Sequence, residues 1–168
     1  MIRIEAIEAL TANPKLIAFA RFVIAETGEG AFPDYPAMDL MRIASLVTHV
    51  WVLDFRDGVG DGPTFHFSGT HIDANYEKNI TGKSFEEIYA GEDFDRVIAG
   101  CYYQVHLQKK VCYTHRVAHY TDARIDKYKL IESILLPCSG DGEAIDFGIG
   151  YAEYSFSKTD IEPRYIVL

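Results

Sequence analysis

The chain has 168 residues, a length that fits one domain with a substantial core. Hydrophobic residues make up 48% of it and charged residues 24%, which excludes a disordered chain and an integral membrane protein. The formal net charge of -9 disfavours nucleic acid as a partner, because the overall field repels a phosphate backbone.

The first predicted element is a helix that begins at Pro14, with Asn13 as its N-cap, and ends before Gly28. Apolar residues recur along it at helical spacing, so one side must be covered by the chain's own sheet or by a second copy of the helix. We therefore expect residues 1–30 to form an N-terminal helical extension. This extension is the predicted interface of a homodimer.

The next elements are a short helix and a β-hairpin. Asp39 is the predicted N-cap of a helix that runs to Val47. Residues 50–55 and 64–68 are predicted to pair as antiparallel strands, since the turn-forming residues 56–63 between them suit a long hairpin tip.

Three helices are predicted between this hairpin and the remaining strands. Two capping-box patterns, residues 70–73 and residues 84–87, each place a hydroxyl residue three positions before an acid. A longer helix is predicted over about residues 94–109, with Val97, Cys101 and Val105 on its apolar side.

Residues 111–120, 128–138 and 144–156 are predicted strands, and residues 158–168 a C-terminal tail. The order of elements predicts the α+β class: a five-stranded antiparallel sheet with short helices on one face, plus the added N-terminal helix. Residues 31–157 are the predicted main domain.

The cysteines and histidines of the chain show no pattern of a disulfide framework or a metal site. Three cysteines, at unrelated spacings, argue against a disulfide framework and favour a cytoplasmic location. The N-terminus carries acids where a signal peptide needs an apolar run, and no stretch suits a membrane span. His115 and His119 lie too far apart on one strand to share a metal ion, so no metal site is predicted.

A pocket between the sheet and the helices at 70–105 is the predicted binding site. Small-molecule pockets are mostly aromatic and apolar with a few polar groups, and aromatic residues make up 13% of this chain. The predicted lining residues are Trp51, Leu53, Phe65, Phe67, Tyr113, His115 and Glu132. The alternative is that these side chains fill the core and leave no cavity.

Three separated motifs carry a resemblance to a known family. They are Gly69-Thr70-His71-Ile72, then Asn79-Ile80-Thr81-Gly82-Lys83, then the stretch Leu135-Leu136-Pro137-Cys138-Ser139-Gly140-Asp141-Gly142. In this order they resemble the G-T-x-I, L-T-G and L-L-P-L-S-x-D-G motifs of bacterial PAS-like sensory domains. The resemblance covers about residues 30–155.

The resemblance implies a PAS-like sensory or protein-interaction module in bacterial signalling, without catalytic activity of its own. No effector domain is expected on this chain, so a signal would pass to a separate partner protein or through self-association. The ligand and any cofactor stay unidentified. Two alternatives stay open: a small cavity enzyme that uses Glu132, His115 or Tyr113 as acid or base, and a purely structural dimerisation module.

Overall fold

The fold is built on one antiparallel sheet whose two faces are both covered by helices. The computed structural model describes residues 2–28, 30–57, 62–89, 94–122 and 127–168. Part of the predicted hairpin tip, residues 58–61, lies outside them. The helices are α1 (Ile4–Glu8), α2 (Pro14–Ala25), α3 (Thr70–Tyr76), α4 (Phe85–Tyr89) and α5 (Phe94–Gln108), with short 3-10 helices at Tyr35–Ala37, Leu40–Ile43 and Val47–His49.

Six strands form the sheet in the spatial order β2-β1-β5-β4-β3-β6. Their bounds are β1 (Val50–Asp54), β2 (Thr64–Ser68), β3 (Cys112–Asp122), β4 (Lys127–Cys138), β5 (Phe147–Ser157) and β6 (Arg164–Val167). The α+β class and the antiparallel sheet are confirmed, but the predicted number of five strands is wrong. The sixth strand, β6, lies within the predicted tail and pairs with residues Cys112 to His115 of β3.

Local capping explains where several helices begin. The Asn13 side chain accepts hydrogen bonds from the backbone N–H groups of Lys15 and Leu16, as the sequence predicts for α2. The capping box at Ser84 and Glu87 is confirmed in both directions. The one predicted at residues 70–73 is wrong, because Gly69 is the N-cap of α3 and the Asp73 carboxylate accepts from the backbone N–H of Ile80 instead.

The apolar side of α2 packs on the sheet of the same chain. Leu16, Phe19 and Val23 are fully buried there against strand residues such as Ile134 and Tyr151. The sequence leaves open whether the chain's own sheet or a second copy of the helix covers this apolar side. In the structure, the chain's own sheet covers it. A homodimer through α2 would have to use the other side of the helix.

Helices α3 to α5 cover the opposite face of the sheet. Trp51 and Leu53 of β1 point to this side, as does Phe55 directly after the strand, together with Cys101 and Val105 of α5. Val97 departs from the prediction, because 50% of its surface is exposed. Alternate residues of the central strands β1, β5 and β4 thus enter two separate cores, one on each face.

A close contact between β1 and β5 fixes the packing on the α3–α5 side. The indole ring of Trp51 lies over Gly150, and a Cβ atom at position 150 would come within 2.3 Å of that ring. A Cβ atom at position 148 would likewise come within 3.0 Å of the ring of Phe55. These glycines let two large rings lie flat on the sheet.

We expect Gly150→Ala to destabilise the protein by about 1–3 kcal/mol, because the added methyl group must displace the Trp51 ring. The matched control is Gly100→Ala in α5, where an added Cβ meets nothing within 4 Å. That change should raise the free energy of unfolding by about 0.5–1 kcal/mol. Urea unfolding of both variants measures the difference, and equal midpoints would contradict the assigned packing.

Candidate functional site

The seven predicted pocket residues lie on both faces of the sheet. Trp51, Leu53 and Phe65 are buried on the α3–α5 side, as predicted. Tyr113, His115 and Glu132 point to the opposite face, where the segment between α1 and α2 covers them. Phe67 is half-buried and packs in the α2 core. The structure therefore does not bring the seven together.

A β-bulge in β2 separates Phe65 from Phe67. Leu53 pairs with Phe65 and the adjacent Val52 pairs with Phe67, so His66 is an extra residue without a pairing position on β1. The simple alternation expected for β2 would have placed Phe65 and Phe67 on one face. The bulge instead turns the Phe67 side chain to the α2 side.

Between the sheet and α3–α5 there is a small cavity of about 20 Å³. This volume holds about one water molecule. Three tyrosines and an arginine line it beside Trp51, Phe65 and other apolar residues: Tyr76, Tyr102, Tyr154 and Arg116. The prediction from sequence includes none of these four polar residues.

Arg116 brings a positive charge into this mostly apolar core. It is 5% exposed, and one of its guanidinium N–H groups donates to the backbone carbonyl of Val117 over 3.3 Å. Burial raises the pKa of Tyr102 and of Tyr154, and the charge of Arg116 opposes that rise at both residues. The cavity therefore combines aromatic walls with hydroxyl groups and one cation.

On the other face, Glu132 is the centre of a hydrogen-bonded cluster. Its carboxylate accepts hydrogen bonds from Thr11, from the Tyr113 hydroxyl at 2.8 Å and from the Asn13 amide at 3.2 Å. Asn13 also caps α2, so the same residue links the start of that helix to β4. Glu132 thus fastens the N-terminal segment to the sheet.

Glu153 pairs with Glu132 across β4 and β5 and lies beside it in the same groove. Burial raises its pKa, but hydrogen bonds from the Tyr151 hydroxyl and from Lys15 outweigh burial, so the pKa of Glu153 is lowered. The groove is open and has a volume of about 630 Å³, with His115 and Arg164 also on its lining. Both carboxylates are already engaged by the chain's own donors.

The described residues offer neither a metal site nor a membrane-spanning helix. Within the described ranges, no group of three or more His, Cys, Asp or Glu side chains is arranged to hold a metal ion. No helix in that part of the chain is long and apolar enough to cross a bilayer. Comparisons with protein families, with curated proteins and with solved structures found no match to this chain.

Tyr113→Phe tests the Glu132 cluster. The change removes one donor to a half-buried carboxylate, so we expect the free energy of unfolding to fall by about 1.5–3 kcal/mol. Tyr165→Phe, on the exposed part of β6, is the matched control and should change it by less than about 0.5 kcal/mol. Urea unfolding at neutral pH measures both. If the two variants lose the same small amount, Tyr113 does not support this cluster.

The buried tyrosines predict a loss of stability at alkaline pH. Burial is the first cause that raises the pKa of Tyr102, Tyr113, Tyr151 and Tyr154 in the folded protein. The unfolded chain releases these protons at about pH 10, so the contribution of these tyrosines to stability is constant below about that pH and is lost above it. We expect the tyrosinate absorbance of these residues to rise together with the loss of circular dichroism. Ionisation of all tyrosines before any unfolding would contradict the assigned burial.

Proposed function

We propose that this chain is a PAS-like sensory module of bacterial signalling that binds a small molecule between its sheet and α3–α5. The observation that carries the proposal is the strand order β2-β1-β5-β4-β3, with three helices between β2 and β3 that cover one face. This arrangement agrees with the PAS-like resemblance of the three sequence motifs. The N-terminal helices and β6 are additions to that unit.

The cavity gives the proposal its binding site. Its walls carry Trp51 and Phe65 as apolar contacts, and Arg116 with Tyr102 and Tyr154 as polar ones, a mixture typical of small-molecule sites. A ligand larger than water would have to displace α3 or α5 from the sheet. Such a displacement is a conformational change coupled to occupancy, which is what a sensor requires.

The strands offer a route from the cavity to the N-terminal segment. On β4, Ile131 lines the cavity, and the next residue, Glu132, holds Thr11 and Asn13 on the opposite face. On β5, Ala152 lines the cavity in the same way, and the next residue, Glu153, accepts a hydrogen bond from Lys15 on the opposite face. We infer that occupancy changes the docking of the N-terminal segment, and that a partner protein or a second copy responds to that change.

The enzyme alternative receives less support from the geometry. Glu132, His115 and Tyr113, its three candidate acid–base groups, lie in the open groove and not in the aromatic cavity. The structural-module alternative predicts a core with no ligand at all. The following experiment separates it from the sensory proposal.

Native mass spectrometry of the freshly purified protein tests for a retained small molecule. We expect an added mass that disappears on denaturation, because the cavity lies between packed elements. Ala152→Leu should abolish it, since the larger side chain fills the cavity, whereas Ala12→Leu on the exposed loop should retain it.

Emission from Trp51, the single tryptophan of the chain, gives a second measurement. It should shift when the retained molecule is removed and return when that molecule is added back. A chain that carries no added mass, and whose Trp51 emission is the same before denaturation and after refolding, would support the structural module and contradict the sensory proposal.

A further inference from the structure

Two histidines lie face to face where α3 meets the rest of the fold. His49 ends the 3-10 helix Val47–His49, and His71 is the second residue of α3. Their imidazole rings are stacked, with 4.0 Å between the ring centroids and 19° between the ring planes. Both residues are half-buried. The contact therefore joins the start of α3 to the segment that leads into β1.

His49 is held in place by the sheet. Its Nδ1 atom lies 2.9 Å from the backbone carbonyl oxygen of Ala152 in β5, and Nδ1 is the donor because a carbonyl oxygen can only accept. The same nitrogen lies 3.9 Å from a carboxylate oxygen of Glu153. The Tyr151 ring also stacks with the His49 ring, at 5.6 Å between centroids. A neutral and a charged imidazole can both donate from Nδ1, so His49 stays bound to β5 in either state.

His71 belongs to a helix that covers the cavity. The residue after it, Ile72, and Tyr76 at the end of the helix both line the cavity. Helix α3 has only seven residues, too few to keep a helix stable away from the sheet. Its position depends on a small number of side chains, and the His71 ring is one of them. Weakening the ring contact would therefore favour movement of α3.

Protonation of both rings would oppose the stacked arrangement. Two positive charges at this distance repel each other, and water screens partly buried charges poorly. Burial is the main cause that lowers the pKa of His71, and the neighbouring His49 lowers it further. When α3 is away from the sheet, His71 is in water and has the ordinary histidine pKa of about 6.5. That open state binds more protons than the closed one below about pH 6.5, so acid favours it.

Charged groups on the neighbouring elements also act on His71. Glu153 of β5 favours its protonation, whereas Lys129 of β4 and Lys15 of α2 oppose it. Glu153 is already paired with Lys15, whose Nζ atom lies 3.1 Å from its carboxylate. The Tyr154 ring lies 5.6 Å from the His71 ring, between centroids. Attraction by Glu153 is thus smaller than the combined effect of burial and the nearby cations.

We propose that the stacked rings of His49 and His71 form a pH-sensitive contact, which releases α3 from the sheet and opens the cavity when both rings are protonated. Histidine suits this role, because its charge changes between about pH 5 and 8. The inference concerns access to the proposed binding site but does not rest on the sensory function. Its test needs no ligand, so a chain without retained mass tests it equally well.

Acrylamide quenching of Trp51 measures the opening, since this single tryptophan lines the cavity together with Ile72 of α3. We expect quenching to be constant above about pH 7 and to rise between about pH 6.5 and 5, while far-UV circular dichroism shows that the sheet is retained. In His71→Phe, which keeps a ring but accepts no proton, the rise should be lost. The matched control is His66→Phe, which replaces an exposed histidine of β2 and should keep the rise.

Three results would overturn the proposal. They are constant quenching of Trp51 in the native chain down to about pH 5, an equal rise in His71→Phe, and a rise that coincides with loss of the sheet. Hydrogen exchange of the native chain keeps the test decisive if His71→Phe does not fold. After correction for intrinsic exchange rates, the amides of α3 should lose protection below about pH 6.5 while those of β5 keep it. Unchanged protection of α3 would likewise contradict the release.

Discussion

Burial of the central strands on both faces is the constraint on which the rest of this structure depends. In β4, Ile134 and Leu136 enter the core under α2, while Ile131 and Leu135 enter the core under α3–α5. A strand in this position can hold polar groups only where the chain supplies partners for them. Glu132 satisfies this requirement with donors from the N-terminal segment. Thr114 and Ser133 satisfy it by bonding to each other, their hydroxyl oxygens 2.7 Å apart.

Elements with strong local signals could be predicted from the sequence. The cap formed by Asn13 and Pro14 predicts the start of α2, and the spacing of apolar residues predicts α5. The strand predicted over residues 64–68 has the observed bounds of β2. Strand β6 carries a weaker signal, since it has only four residues, two of them exposed. Its strand conformation depends on pairing with β3, which is a tertiary contact. Helix α1 is also short, and its packing against α2 stabilises it.

The candidate site is harder to predict. The alternation of side chains along a strand assigns them to two faces, but it does not indicate which face packs in which core. Along β3, Tyr113 and His115 form one set, and Cys112, Thr114 and Arg116 the other. The aromatic and imidazole groups of the first set favour it as the predicted pocket lining, but the second set faces the cavity. Arg116 lies in a run of basic residues that suits a solvated strand, so only the fold reveals its burial. The bulge at His66 likewise cannot be seen in the regular alternation of apolar and polar residues along β2.

Strand β6 also determines which edges of the sheet are open. The backbone groups of β3 from Cys112 to His115 would otherwise form an unpaired row along the edge of the sheet, and such rows template pairing with other chains. Because β6 is short and carries Arg164 at its start, the new edge offers few hydrogen-bonding positions and a charge. The C-terminal residues therefore protect the protein from edge-to-edge aggregation. Truncating them would impair solubility before it impaired the core.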